Sequence, residues 1–209
     1  MLNELHPYWH VRAMIAGNPE IAAVSFSFYS YTPQTVADSR TVWQVPASQL
    51  LDCDYVENML ASTPKGQELA IHSDVLLNNG ERQHLVMVDM ATSSKAHLEK
   101  LRTFLGDNFF QRMAWFDSGR SFHGYGADLL TEQRWVQFMG LLLLANKPRM
   151  ESTVDPRWIG HRLMAGYATL RWTKNTSHYL VYPTRLDNRR TYPVTKEVGP
   201  LGKRVGGKS

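Results

Sequence analysis

Two predicted strands carry polar side chains that could together form a chemical site. Residues 84–90 and 121–126 are rich in hydrophobic and aromatic residues, which is typical of strands. Successive side chains on a strand point to opposite faces. If the apolar face of each strand packs on helices, the opposite face holds an acid, a hydroxyl, an imidazole and a phenol: Asp89, Ser121, His123 and Tyr125. A carboxylate beside an imidazole can bind ions and exchange protons.

The elements around these strands follow a known order. The pattern predicts a strand at 84–90, a helix from Ser93 or Ser94 to Gly106, strands at 108–116 and 121–126, a helix at 129–144 and a strand at 167–173. This β-α-β-β-α-β order is the split βαβ unit, an α+β fold of the RRM or ferredoxin-like type. Its first and third strands are neighbours, and its helices cover one face of the sheet while the other stays open. Asp89 and His123 are therefore expected side by side on the open face.

The first 68 residues are predicted to form an α/β extension packed on this unit. It contains helices at 3–16 and 48–62 and strands at 21–31 and 41–45. A strand at 68–77 follows and returns through the turn at 78–80, Asn-Asn-Gly, whose residues tolerate positive φ. After the second helix, Asp155 and Pro156 are a good N-cap and first residue for a short helix that runs to Ala165.

The composition excludes several classes of protein. The chain has 209 residues and one cysteine, Cys53, so neither a disulfide framework nor a zinc ribbon is expected. The longest apolar run, at 141–145, is far too short to span a membrane. A P-loop motor is not expected, because the sequence has no G-x-x-x-x-G-K-[ST] motif. The start of the chain has no apolar signal core, and the expected compartment is the cytoplasm.

Positive charge is concentrated at the C-terminal end. Residues 174–209 hold eight Lys and Arg against two Asp and Glu, whereas the rest of the chain is close to neutral. Such a segment suggests a polyanionic partner, with binding that weakens as salt rises. A solvated tail that aids solubility is the alternative. We delimit this basic C-terminal tail as residues 184–209.

The residues that lead into the third strand resemble a known motif. The segment 117–123, DSGRSFH, resembles motif II of the archaeo-eukaryotic primase superfamily, a turn of small residues followed by a strand with Ser-x-His. Asp89 takes the place of motif I and Asp155 that of motif III, at 34 and 32 residues from His123. Residues 170–175, LRWTKN, resemble the arginine-bearing strand that follows motif III. The resemblance covers about 69–182 and implies a primase-like palm at 69–183.

This resemblance implies a nucleotidyltransferase of the primase-polymerase type, acting in DNA replication, repair or defence. Asp89 and Asp155 would hold Mg²⁺ or Mn²⁺, and Ser121 and His123 would position a nucleoside triphosphate. The basic residues that would contact phosphates are Arg120, Arg171 and Lys174. The expected partners are a nucleoside triphosphate, single-stranded DNA or RNA and a helicase or replication protein from another chain, with no membrane.

The sequence departs from the family pattern at motif I. The family has an acid pair there, but the positions that would hold the second acid carry Met87 and Ala91. A catalytically degenerate module that binds nucleic acid on the same fold is therefore the main alternative, with Tyr125 stacking bases on the open sheet. A third hypothesis makes the palm only an interaction scaffold. Each site residue also has a structural alternative; Asp155, for example, could serve only as a helix cap.

Overall fold

The computed structural model describes residues 2–32 and 34–186, and the elements below are those of this part of the chain. In chain order they are α1 (Pro7–Ala16), β1 (Ile21–Tyr29), β2 (Arg40–Pro46), α2 (Ala47–Leu50), α3 (Cys53–Ala61), β3 (Glu68–Leu77), β4 (Arg82–Asp89), α4 (Lys95–Leu105), α5 (Asp107–Phe110), β5 (Met113–Asp117), β6 (Phe122–Thr131), α6 (Glu132–Leu144), α7 (Pro156–Ala165), β7 (Thr169–Arg171) and β8 (Thr184–Arg185). Most of the predicted basic tail lies outside the described residues.

The strands of the described residues form one antiparallel eight-stranded sheet, which confirms the predicted α+β class. Its order is β2-β1-β3-β4-β6-β5-β8, and β7 pairs with β3. β3 pairs with β4 through residues 74–76 and with β7 through residues 70–72, so the two partners share one edge of β3. β4 and β6 are neighbours, as predicted, and Asp89 lies directly opposite His123.

One face of the central strands packs on helices, as the alternation of side chains along these strands predicts. The imidazole of His84 on β4 stacks on the indole of Trp135 in α6, with ring centroids 4.6 Å apart. Val86 on the same face lies against Gly126 of β6. A Cβ at Gly126 would come within 2.7 Å of the Val86 Cβ, so glycine at this position lets β4 and β6 pack this closely.

The opposite face is not open at its centre, which corrects the sequence prediction. The ring of Tyr125 is only 2% exposed, and its hydroxyl accepts a hydrogen bond from Trp172 Nε1 at 3.2 Å. α1 packs here, with the His10 ring 6.5 Å from the Tyr125 ring and Tyr8 against Trp172. Tyr125 therefore belongs to the core and cannot stack nucleic-acid bases.

Several element boundaries differ from those predicted. The segment predicted as a helix from residue 129 begins as strand, because β6 continues to Thr131. Thr131 then caps α6, and its Oγ1 accepts a hydrogen bond from Arg134 N at 3.4 Å. The strand predicted at 108–116 starts as the short helix α5 and becomes β5 at Met113. The helix predicted at 48–62 divides into α2 and α3, because the Asp52 side chain caps a new helix.

The first helix and the strand predicted at 167–173 are also shorter than predicted. α1 begins at Pro7, with His6 as its cap, rather than at residue 3. β7 covers three residues of the predicted strand at 167–173. The turn at 78–80 is as predicted, with Gly80 at φ 84°. Among residues 2–32 and 34–186, no helix is long and apolar enough to cross a membrane.

Candidate active site

A pocket of about 340 Å³ lies beyond the end of β4, where β6, β7 and α7 meet. The β1–β2 loop, residues 30–39, and residues 178–179 complete its walls. Its size is within the range of small-molecule sites. Among its described lining residues, five are arginines and three are aspartates: Arg40, Arg120, Arg157, Arg162, Arg171, Asp38, Asp89 and Asp155. The pocket is therefore suited to an anionic ligand that also carries a cation.

Asp89 and Asp155 come together because β4 runs into the segment before α7. Met90 forms an isolated bridge with Val154, and Asp155 N donates to the backbone oxygen of Asp89 at 3.0 Å. Burial, followed by the charge of Asp155, raises the pKa of Asp89 to about 7. Two carboxylates without enough positive charge nearby repel each other, and a bound cation relieves such repulsion.

The Asp155 carboxylate caps α7 with one oxygen and leaves the other available. Its Oδ1 accepts from the backbone N–H groups of Arg157 at 2.8 Å and Trp158 at 3.2 Å. No described residue donates a hydrogen bond to Oδ2, and Asp155 lines the pocket. The cap predicted from the Asp-Pro pair is thus present, and it is compatible with a second role for the same side chain.

Ser121 and His123 flank Asp89 from the neighbouring strand. Ser121 Oγ donates to Asp89 Oδ1 at 3.0 Å, and His123 Nε2 lies 3.7 Å from the same oxygen. Burial, with a smaller contribution from the charge of Arg171, lowers the pKa of His123 to about 3, so its ring is neutral. The buried Nδ1 of His123 has no hydrogen-bond partner among the described residues.

Of the three basic residues predicted from sequence, two line the pocket. Arg120 is exposed at the mouth, and its Nη1 lies 3.1 Å from His178 Nε2. Arg171 is buried, and its guanidinium donates to the carbonyl oxygens of Ser118 at 2.9 Å and Val181 at 3.2 Å. It therefore ties the turn at 117–120 to the segment before β8. Lys174 is exposed and does not line the pocket.

The sequence prediction missed residues that the pocket draws from other segments. Arg157 and Arg162 project from α7, and two arginines soon after Asp155 were a usable signal. Tyr31 and His178 form an aromatic pair at the mouth, with ring centroids 4.2 Å apart, and the Tyr31 side chain is 47% exposed. No local pattern in the sequence joins residues so far apart along the chain.

The pocket fits one divalent ion better than two. Asp38, the third aspartate, is paired with Arg40 and Arg162, which leaves Asp89 and Asp155 as the available carboxylates. Carboxylate oxygens are the ligands that Mg²⁺ and Mn²⁺ prefer. Within the described ranges, the only place where three possible donors lie within 4.8 Å of one another is at residues 52–54, Asp-Cys-Asp, at the start of α3 and outside the pocket.

A comparison with models of known protein families identifies the family of this chain. A sequence profile of the AEP-like family, described as archaeo-eukaryotic primase 1D-like, matches residues 47–184 and confirms the resemblance indicated by the motifs. The crystal structure of primase RepB' is similar, with 13% sequence identity and a TM-score of 0.49 over 86% of this chain and 55% of that chain. This chain thus corresponds to about half the length of that primase. No curated protein matches the sequence significantly.

Proposed function

Because the chain belongs to the AEP-like family of archaeo-eukaryotic primase 1D-like domains, we propose that its pocket binds a nucleoside triphosphate with Mg²⁺ or Mn²⁺ and joins nucleotides on a single strand of DNA or RNA. The observation that carries the proposal is the acid pair. Asp89 and Asp155 lie together in a pocket whose lining includes five arginines, and the pKa of Asp89 is raised to about 7. A divalent ion bound there would neutralise the charge of the triphosphate oxygens.

The protein residues would hold and orient the nucleotide around this acid pair. Ser121 keeps the Asp89 carboxylate in place through its 3.0 Å hydrogen bond. His123 lines the pocket beside Asp89, and its neutral ring carries one N–H group that would donate to a phosphate oxygen. Arg120 and Arg157, at the mouth of the pocket, would neutralise phosphates. Arg171 would act indirectly in this proposal. Carbonyl oxygens accept hydrogen bonds from both of its terminal nitrogens, and its Nε is buried without a partner among the described residues.

The aromatic pair at the mouth supports binding of a single strand. Tyr31 and His178 present flat ring surfaces beside Arg120 and Arg157, and base stacking on aromatic rings is a common mode of single-strand binding. They would take the role that the sequence analysis gave to Tyr125. The predicted basic tail would add phosphate contacts, although residues 187–209 lie outside the described part of the chain.

The acid count favours a second candidate, a nucleic-acid-binding module without catalysis. Asp38 is neutralised by arginines, so two acids remain where two-metal transfer uses more. Incorporation of nucleotides onto a primed single strand with Mn²⁺ distinguishes the two candidates. We expect weak incorporation by the wild type and none by Asp89→Asn.

Restoring the second acid of motif I gives a sharper test of catalysis. Met87 is buried opposite Tyr125 and cannot carry a carboxylate, whereas Ala91 is exposed and lines the pocket. Ala91→Asp should therefore raise Mn²⁺-dependent incorporation by about tenfold or more, because a third carboxylate stabilises the bound ion. Asn79→Asp, which adds the same charge at the β3–β4 turn, is the matched control. If the folded wild type and Ala91→Asp both fail to incorporate nucleotide, the binding module is the correct function.

A further inference from the structure

The β1–β2 loop lines the pocket, and its described residues make few contacts with the rest of the protein. No backbone–backbone hydrogen bond is made by its described residues, 30–32 and 34–39. It is held to α7 by two arginines, since Arg157 Nη2 donates to Thr35 O at 3.1 Å and Arg162 donates to Asp38. The Tyr31 ring also contacts the rings of His178 and Tyr179. A loop held by so few contacts needs little free energy to move.

Asp38 lies between two buried guanidinium groups. Arg40 Nε is 2.9 and 3.0 Å from the two Asp38 carboxylate oxygens, and Arg162 donates to Oδ2. The side chains of Arg40 and Arg162 are 8% and 3% exposed. Arg162 also donates to Thr169 Oγ1 at 3.1 Å, but Asp38 is its one acidic partner among the described residues. Two buried cations side by side require an anion.

The two arginines belong to the same pocket as the acid pair. All of Arg40, Arg162 and Asp38 line it, and Arg162 is near enough to Asp89 to influence its charge state. A carboxylate held by two guanidiniums has the geometry and charge with which arginines bind a phosphate group. The Asp38 carboxylate thus occupies a position that would suit a phosphate group.

We propose that Arg40 and Arg162 form a phosphate subsite and that Asp38 occupies it until a phosphorylated ligand displaces the carboxylate and releases the β1–β2 loop. The subsite deepens the proposed function, in which the phosphate belongs to the nucleotide or to the nucleic-acid strand. The subsite can be tested without a metal ion and without catalysis. A failure of the protein to incorporate nucleotides would therefore not overturn the subsite.

Calorimetric binding of inorganic tripolyphosphate to the full chain in metal-free buffer tests the subsite. Asp38→Asn should bind tripolyphosphate about tenfold or more tightly than the wild type, because the amide no longer competes through charge-assisted hydrogen bonds. Adding Arg162→Gln to Asp38→Asn should abolish this gain. Asp54→Asn, which removes an equal charge from the exposed start of α3, should leave the affinity within about twofold.

A second arm of the experiment identifies the source of the phosphate. The same variants are titrated with a single-stranded oligonucleotide that carries no terminal phosphate. A gain for tripolyphosphate alone assigns the subsite to the nucleotide, and a gain for the oligonucleotide alone assigns it to the strand. No gain in either titration, with folding confirmed by thermal unfolding, would show that Asp38 only ties the loop and would overturn the proposal.

Hydrogen exchange on the wild type gives a measure that needs no variant. Saturating tripolyphosphate should speed amide exchange at residues 34–39, because the ligand replaces the Asp38 contact that holds the loop. Unchanged or slower exchange with tripolyphosphate bound would contradict displacement of Asp38.

Discussion

At the scale of single residues, the two oxygens of the Asp155 carboxylate lie in different surroundings. Oδ1 accepts two backbone N–H groups at the start of α7, and Oδ2 has no partner among the described residues. The cap and the proposed metal ligand can therefore be separated by substitution, because an amide oxygen can cap a helix but brings no charge to a divalent ion.

We predict that Asp155→Asn abolishes Mn²⁺-dependent incorporation while changing the free energy of unfolding by less than about 0.5 kcal/mol. Asp155→Ala should lose incorporation and also about 1 kcal/mol of stability, because the cap is removed. Urea unfolding and primer extension measure the two effects. Asp52→Asn, a cap substitution at α3 outside the pocket, is the control and should leave incorporation unchanged. Full activity in Asp155→Asn would exclude Asp155 as a metal ligand.

At the scale of elements, a buried carboxylate organises the segment between β7 and β8. Glu68, at the start of β3, is fully buried and accepts hydrogen bonds from Asn175 N at 2.9 Å and Thr176 N at 2.7 Å, as well as from the Thr173 hydroxyl. This segment carries His178 into the mouth of the pocket. The position of the aromatic pair therefore depends on a residue from a distant strand.

We predict that Glu68→Gln lowers the free energy of unfolding by about 2 kcal/mol, because the amide turns an NH₂ group toward donors and loses charge-assisted hydrogen bonds. The same substitution should weaken single-strand binding by several-fold, since His178 loses its support. Urea unfolding and fluorescence anisotropy measure the two effects. Glu81→Gln, at an exposed turn, should change neither. Wild-type stability in Glu68→Gln would show that this network does not organise the segment.

At the scale of the whole molecule, the packing of α1 on the sheet buries His6 and leaves His10 half-buried. Burial lowers the pKa of His6 and that of His10 to about 4, from 6.5 in an unfolded chain. The unfolded state thus binds protons before the folded state as pH falls. The stability associated with these groups is complete above pH 6.5 and is lost as the pH falls toward 4. Asp89, whose pKa is raised, acts in the opposite direction and offsets part of this loss.

We predict that the free energy of unfolding at pH 4.5 is lower than at pH 7 by a few kcal/mol, because the lowered pKa values of His6, His10 and His123 together outweigh the raised pKa of Asp89. Urea titrations at both pH values measure the difference. His10→Phe keeps an aromatic ring against Phe116 and Tyr125 but cannot titrate, so it should reduce the difference by about one histidine's share. Equal stability of the wild type at the two pH values would contradict the buried, neutral state of these rings.

Local patterns in the sequence were enough to predict the neighbouring strands of the site and several of its residues. Strand parity and the spacing of Asp89, His123 and Asp155 depend on residues that are close along the chain or within one motif. The Asp-Pro cap of α7 is equally local. These features survive in the structure, where the three residues line one pocket. Boundaries such as the extension of β6 to Thr131 were missed, because strand pairing overrides local helix preference.

Only the tertiary structure decided what covers each face and which charges meet. Alternation along β6 predicts that Tyr125 lies opposite the helix layer, but it contains no information that α1 packs there and buries the ring. Arg162 likewise lies more than 120 residues along the chain from Asp38 and Arg40. Their contact forms only when β1, β3 and β7 pair and α7 packs beside them. Local sequence specifies the periodicity and caps of each segment, whereas contacts between distant segments depend on the free energy of packing the whole chain.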